Sequence, residues 1–273
     1  LLGTYSDSPN SVIDFAVTGL IGLARLGALN LSNSVQIQGA GVTLEGESST
    51  QILNVTGSRT VALDGLTLNG ASASTAGASI YADGGTLSLT NVTVQNGAGT
   101  GGANGGIRTL GDLTLTGSTL TGLTATATNT ALLSGGAAAS VDGNLTMVNT
   151  NVTNNTVTYS LTGATPNTAY GGGLRVGGTA NITGGTISGN TLDSNDGDAE
   201  GGGLFVTGNV TMSGTTVTGN TVYAGGTLSY NYEALGKGGG LATDGSANLT
   251  NVVVSSNRVE TEVDSSSDSR LYG

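Results

Sequence analysis

Apolar residues recur along the chain in a fixed frame of short alternating segments. The clearest copy is MSGTTVTGN, residues 212–220, in which Met212 and the fifth residue after it, Val217, are apolar. Short apolar–polar alternation interrupted by Gly, Asn and Asp is typical of strands and turns, and no helical period accompanies it. The pattern predicts an all-β repeat protein. The same frame begins at Leu63, Leu89, Leu115, Met147, Ile182 and Leu249.

Each repeat has a constant part and a variable part. Successive frames begin 26 to 37 residues apart, and the extra length follows an Asn and precedes a glycine-rich stretch such as GGGL at 201–204. A constant coil of three short strands, each with apolar residues pointing inward, predicts a right-handed single-stranded parallel β-helix, a β-solenoid. We expect about eight or nine coils, with variable loops at one corner. We interpret residues 1–273 as one β-helix domain. Residues 1–57 form the opening coils, and residues 58–273 form the GG-L…N repeat coils.

Two corners of the coil have recurring turn residues. Asn155, Asn190, Asn220 and Asn257 recur at one corner, where stacked Asn side chains can hydrogen-bond along the rod. The other corner carries Gly, where a positive φ is expected because Gly tolerates it. These turn pairs are Asp83-Gly84, Asp142-Gly143, Gly177-Gly178, Gly208-Asn209 and Asp244-Gly245.

The composition excludes several classes of protein and of functional site. With 49 Gly but only 2 Pro, collagen is excluded, and without Cys, His or Trp there are no disulfides, imidazole bases or usual zinc ligand sets. Charged residues are 9% and the net charge is −11, so nucleic-acid binding through clustered Lys and Arg is not expected. No window is apolar enough to span a membrane. No signal peptide is expected at Leu1, so we interpret the chain as a processed protein or a fragment.

The repeats GGGL…ITGGTISGN, within 171–190, and GGGLFV…MSGTTVTGN, within 201–220, share a motif with a known group. They resemble the repeats of right-handed β-helix surface proteins of bacteria, which include polymorphic outer-membrane-protein repeats and autotransporter-like passengers. Residues 11–46 are similar to the N-terminal start of such rods. The resemblance covers most of the chain and implies secretion and a cell-surface location. It implies no single activity, because such rods serve adhesion, surface coating and sugar processing alike.

The densest acidic segment is DSNDGDAE, residues 193–200. Oxygen ligands spaced two apart around a Gly suit a hard cation such as calcium, and the segment partly matches the start of an EF-hand loop. The match fails at the twelfth position, Thr207, and a solvated acidic loop is the alternative. No other cofactor is expected. The calcium ligands under this hypothesis are Asp193, Asn195, Asp196, Asp198 and Glu200.

Tyrosines concentrate in the variable insertions. Tyr rings stack on sugars or bury at partner surfaces while their hydroxyls stay wet, so these residues are candidate contacts for surface glycans or a partner. The alternative is that they cover the outside of long loops. The candidates are Tyr159, Tyr170, Tyr223, Tyr230 and Tyr232.

An enzyme is the alternative class, because the β-helix fold also serves polysaccharide lyases and hydrolases. Hydrolases need converging carboxylates, and lyases need an Arg or Lys base beside a calcium-held acid. Arg108 and Arg175 occupy one position in their coils, in a column with Phe205 and Ala242, but no Asp column is expected beside them. We therefore do not expect an enzyme.

The last residues, RLYG at 270–273, resemble TAYG at 168–171, which leads into a GGGL strand. An open β-helix end exposes unpaired backbone groups and its apolar cross-section. We expect the rod to continue into further coils or to contact a second copy head to tail. The predicted function is a non-catalytic extracellular structural or adhesive rod; the alternative is a carbohydrate-binding or polysaccharide-cleaving β-helix. The expected end-to-end contacts are Val12, Ile13, Phe15, Leu271 and Tyr272.

Overall fold

The computed structural model describes most of the chain. The described residues are 11–15, 17–74, 77–127, 135–160, 167–195, 197–225, 234–261 and 270–272. They contain short strands and turns and no helix.

The strands follow one another with few residues between them. The first strands are β1 (Ser11–Asp14), β2 (Gly19–Gly22), β3 (Leu29–Leu31), β4 (Val35–Glu45), β5 (Leu53–Val55), β6 (Arg59–Asn69), β7 (Ser72–Ala73), β8 (Ile80–Ala82), β9 (Gly85–Thr90), β10 (Thr93–Gln95) and β11 (Ala98–Gly99). The middle strands are β12 (Ile107–Thr109), β13 (Asp112–Thr116), β14 (Thr119–Thr121), β15 (Thr124–Ala127), β16 (Ala139–Val141), β17 (Leu145–Val148), β18 (Asn151–Thr153), β19 (Thr156–Tyr159), β20 (Asn167–Tyr170), β21 (Leu174–Val176), β22 (Ala180–Thr183) and β23 (Thr186–Ser188). The last strands are β24 (Thr191–Ser194), β25 (Gly197–Glu200), β26 (Leu204–Val206), β27 (Val210–Ser213), β28 (Thr216–Thr218), β29 (Thr221–Ala224), β30 (Leu235–Lys237), β31 (Leu241–Thr243), β32 (Ala247–Thr250), β33 (Val253–Ser255), β34 (Arg258–Thr261) and β35 (Arg270–Tyr272).

In the described part of the chain, parallel pairing between successive coils builds four sheets. Sheet I has eight strands, in the order β3-β5-β8-β12-β16-β21-β26-β31. Sheet II has two halves that share the long strands β4 and β6: IIa runs from β1 through β9 to β32, and IIb runs from β2 through β10 to β33. Sheet III contains β7, β11, β15, β19, β24, β29 and β34, and sheet IV contains β20, β25, β30 and β35. One strand each from sheets I, IIa and IIb forms a coil, which confirms the predicted parallel β-helix.

The repeat frame is also the pairing register. Ile182 lies opposite Met212, which lies opposite Leu249, and Ile187 lies opposite Val217. These inward columns are buried from β4 to β28, partly buried at Ile13 and Ile21 in the first described coil, and exposed in the last described one. Burying one such side chain stabilises the fold by roughly 1.5–3 kcal/mol, so each added coil extends one continuous core.

A ladder of Asn side chains runs along one corner of this core and confirms the predicted stacking. The backbone N–H and the Nδ2 of Asn190 both donate to Oδ1 of Asn220, at 3.0 and 2.9 Å. Asn155 donates in the same way to Asn190, and Asn220 to Asn257. The side-chain oxygen of each Asn thus accepts the backbone N–H of the Asn in the preceding coil, in place of a backbone carbonyl.

The variable insertions leave the main coil as strands. Sheet III follows the Asn ladder, and sheet IV leads back to sheet I. Between them lies a second hydrophobic core that includes Tyr159, Leu192, Ala199 and Val222. We call sheets III and IV with this core the side arm. The structure thereby refines the prediction of variable loops, because the last four described insertions leave the main coil in β19, β24, β29 and β34 and return in β20, β25, β30 and β35.

Glycine triplets mark the join between the main coil and the side arm. A Cβ on Gly172 would lie 2.6 Å from the backbone carbon of Thr191, and a Cβ on Gly203 would lie 2.9 Å from the Asn220 side chain. The segments that enter and leave the arm therefore touch backbone to backbone. Only Gly fits such a close approach.

The other glycine corner behaves differently from the prediction. The expected positive φ occurs at Gly84, with 89°, but not at Gly143, Gly178, Gly208 or Gly245. These glycines are needed because the coils stack closely: a Cβ on Gly245 would lie 2.5 Å from the carbonyl oxygen of Gly208 in the preceding coil.

Candidate functional site

The predicted calcium segment is divided between the two sheets of the side arm. Asp193 lies in β24 of sheet III between two buried residues, so it is on the outer face of that sheet. Asp198 and Glu200 lie in β25 of sheet IV, where the intervening Ala199 faces the core of the arm. The structure therefore places Asp193 on one side of the arm and the other two carboxylates on the opposite side.

The other candidate ligands either hydrogen-bond to groups of this chain or lie outside the described residues. Asn195 donates from Nδ2 to Oγ of Ser160 at 3.2 Å, and Asp198 accepts the backbone N–H of Leu235 at 2.7 Å. Asp196 is outside the described residues. Within the described ranges, no group of three acidic side chains is arranged to hold a metal ion. Calcium binding stays a prediction.

Glu200 joins two coils of the side arm through a salt bridge. Its Oε1 lies 2.7 Å from Nζ of Lys237. The hydrogen bond and the charge of Glu200 raise the pKa of Lys237 above its ordinary value, against the opposing effect of burial. A cation at Glu200 would have to compete with this ammonium group.

The structure disperses the candidate tyrosines. Tyr159 is buried in the core of the arm, where burial raises the pKa of its hydroxyl, so its ring packs inside instead of facing a ligand. Tyr223 is exposed on the outer face of sheet III. Tyr170 belongs to sheet IV. Tyr230 and Tyr232 lie outside the described residues.

A charged cluster on the outer face of sheet I was missed by the sequence reasoning. Asp142 Oδ2 lies 2.7 Å from Arg108 Nη2, and its Oδ1 lies 3.2 Å from Arg175 Nη1. The two arginines share one column, separated by Ser140, as predicted. The expectation that no Asp column accompanies them in the adjacent strands did not cover Asp142, a single residue in the turn after β16 that lies between the two guanidinium groups.

The arginines set the charge state of Asp142. Partial burial of the carboxyl acts to raise its pKa, but the hydrogen bonds and charges of Arg108 and Arg175 outweigh burial and lower the pKa below its ordinary value. The carboxylate therefore stays ionised near neutral pH and neutralises one of the two positive charges.

Aromatic rings border this cluster. Phe205 follows Arg175 in the sheet I column, and Tyr81 pairs with Arg108 on the other side. The ring of Tyr170 packs against Phe205 with the centroids 4.3 Å apart, across the join between sheets IV and I. Phe205 is buried, so the accessible patch combines two guanidinium groups, a carboxylate and the partly exposed rings of Tyr81 and Tyr170.

The predicted N-terminal contact residues belong to the first described coil. Ile13 and Phe15 pack against the main core, while Val12 is 46% exposed. The register of β1 on β4 continues the same ladder as the later coils.

The last described coil leaves core positions uncovered. Leu249 and Val254 occupy inward columns below Met212 and Val217, but they are 42% and 53% exposed whereas those partners are 1% exposed. Leu271 and Tyr272 extend sheet IV opposite Gly236 and Lys237, and the column of Tyr272 and Lys237 also includes Tyr170. This register confirms the predicted match with residues 168–170 for residues 270–272.

Comparison with known proteins gives no matching family model, no matching curated protein and no matching solved structure. Among the described residues, no helix is long and apolar enough to cross a membrane.

Proposed function

We propose that the chain is a non-catalytic structural or adhesive rod at the bacterial cell surface, outside the cell. Its coils stack end to end on those of a second copy, or continue into a longer rod. The observation that carries the proposal is the last described coil, where Leu249 and Val254 are exposed although the coils from β4 to β28 bury the same columns. An apolar cross-section edged by unpaired strand groups is a template for another coil.

The resemblance of the repeats to bacterial surface rods supports the location. The absence of Cys is compatible with export, because folding then needs no oxidation. The two parallel cores and the buried Asn ladder make the rod stiff. This stiffness suits display of side arms at a distance from a surface.

Two adjacent valines provide the test. Val254 faces the core column and Val253 faces outward, and the two are 53% and 55% exposed. We expect the 273-residue chain to form concentration-dependent linear assemblies by light scattering and electron microscopy. Val254→Asp should return the protein to monomers, because a carboxylate cannot be buried in the junction, while Val253→Asp should leave assembly intact. Monomers of the unchanged chain at all concentrations would overturn end-to-end stacking.

A carbohydrate-binding or polysaccharide-cleaving rod is the second candidate, favoured by the patch of Arg108, Asp142, Arg175, Tyr81 and Tyr170. Guanidinium groups bind sugar carboxylates, and aromatic faces stack on sugar rings. A glycan array would test binding, and incubation with polygalacturonate or alginate would test cleavage. Binding of acidic glycans that disappears in Arg175→Ala would support this candidate, and no binding or cleavage would reject it.

A further inference from the structure

The outer face of sheet IIb carries a regular grid of hydroxyl groups. In β14, β18, β23 and β28 the two outward positions flank one buried residue. Seven of these eight positions are Thr or Ser, and the eighth is Asn151. We call this set the hydroxyl grid. Its members are Thr119, Thr121, Asn151, Thr153, Thr186, Ser188, Thr216 and Thr218.

The grid is two-dimensional because its strands pair without a register shift. Thr119 lies opposite Asn151, which lies opposite Thr186, and Thr186 lies opposite Thr216. Parallel strands lie about 4.8 Å apart, and outward positions two residues apart along a strand are separated by about 6.7 Å. The hydroxyl groups therefore repeat on a rectangle with these sides.

The side chains of the grid hold their positions. Thr is β-branched and has a restricted χ1 on a strand. Oγ1 of Thr153 donates to Oγ1 of Thr121 at 3.1 Å in the next coil. The buried residues behind the grid, such as Leu120 and Val152, are fully enclosed and anchor each strand from below. The spacing of the surface hydroxyls is thus fixed before any ligand arrives.

The chemistry of the grid distinguishes it from the outer faces of sheets I and III. It has no charged and no aromatic residue, whereas sheet III carries Tyr223, Arg258 and Glu260, and sheet I carries the arginine patch. Stacking on a sugar ring needs an aromatic face, and attraction of an ion needs a charge. A flat array of hydroxyl and methyl groups can instead order water molecules at its own spacing.

We infer that the hydroxyl grid binds ice. The prism plane of hexagonal ice presents water oxygens on a rectangle of similar dimensions, so waters held between Thr hydroxyls match the crystal surface. Because the grid is rigid, ordering these waters costs less than on a mobile surface. The ligand is the surface of crystalline water, and the methyl groups of Thr exclude competing liquid-like water from the contact.

Ice-affinity partitioning and crystal growth test the inference. The 273-residue chain should concentrate in a slowly grown ice hemisphere and shape single ice crystals. Thr121→Tyr should lower partitioning at least about tenfold, equivalent to about 1.4 kcal/mol, because the ring lifts the surface off the lattice. The matched control is Thr158→Tyr, at an outward position of sheet III opposite Asp193, which should partition like the unchanged chain. Thr216→Tyr provides a second grid variant if the first does not fold, as judged by thermal melting.

Three results would overturn the inference. The unchanged chain could be excluded from ice like an ordinary solute. The control variant could lose as much partitioning as the folded grid variant. Alternatively, the chain could be retained by crystalline cellulose and not by ice, which would assign the grid to a polysaccharide surface.

Discussion

Single side chains that point into the rod hold successive coils together. Asn190 is fully buried, and its Nδ2 donates to Asn220 and to the carbonyl of Val152, while its Oδ1 accepts from the backbone and side chain of Asn155. One amide thus serves three coils. Loss of such a group leaves several buried polar atoms without partners, which costs more than the hydrogen bonds contribute.

Asn190→Ala should therefore lower the free energy of unfolding by about 3 kcal/mol. Urea denaturation followed by circular dichroism measures the change. The control is Asn181→Ala, because Asn181 is exposed on the outer face of β22, and its loss should stay within about 0.5 kcal/mol. Equal effects of the two substitutions would show that the ladder does not stabilise the coils.

A pH effect follows from Asp142, whose pKa is lowered in the folded protein. A depressed carboxyl pKa contributes stability that is complete above the ordinary value of 3.8 and is lost as the pH falls through the lower folded value. Asp142→Asn should be less stable than the unchanged chain at pH 7. The difference should shrink as the pH falls below 3.8, as measured by thermal melting over a pH series. A difference that does not change with pH would contradict a charge-based role.

Among the elements, the side arm is the part with its own core. That core contains Leu192 and Val222 together with many Ala residues, and it is separated from the main core at the glycine triplets. A smaller core buries less apolar surface and gives less stabilisation. The arm should therefore open more readily than the main coil.

Leu192→Ala should cost about 2–3 kcal/mol, and the effect should be local. Hydrogen exchange should accelerate in sheets III and IV and stay unchanged in sheets I and II. Ile187→Ala in the main core is the matched control and should accelerate exchange in all sheets. If Leu192→Ala accelerates exchange everywhere, the arm and the coil unfold as one unit.

The main coil could be predicted from the sequence because its inward columns are large aliphatic residues at constant spacing. Met212 and Leu249 stack as the repeat frame requires. The arm escaped prediction because its inward positions are small, as at Ala199 and Ala224, and its length varies between coils. Alternation of Ala with polar residues is a weak strand signal.

The candidate sites were harder to predict from the sequence, because each site depends on the sheet and the face on which its side chains lie. Residues 193–200 form one acidic run in the sequence, yet the turn within the run sends Asp193 and Glu200 to opposite sides of the arm. Asp142 was assigned only to a turn, since its contact with two arginines depends on side-chain reach between neighbouring coils.

On the scale of the whole molecule, the same pairing rule operates from the first described coil to the last. In the last described coil, Leu249 and Val254 still continue the strand register and the inward columns of the preceding coils. The net charge of −11 opposes side-by-side contact between rods. Under the proposed function we therefore expect assembly to grow along the axis.

Electron cryo-microscopy of assemblies of the 273-residue chain tests this account most directly. Coil-on-coil stacking predicts filaments one rod wide, in which the strand spacing of about 4.8 Å runs without interruption across the junction between copies. Density for the first coil, including Val12 and Ile13, should lie on the coil that contains Leu249 and Val254. Rods associated side by side, or a junction without continuous strand pairing, would contradict the account.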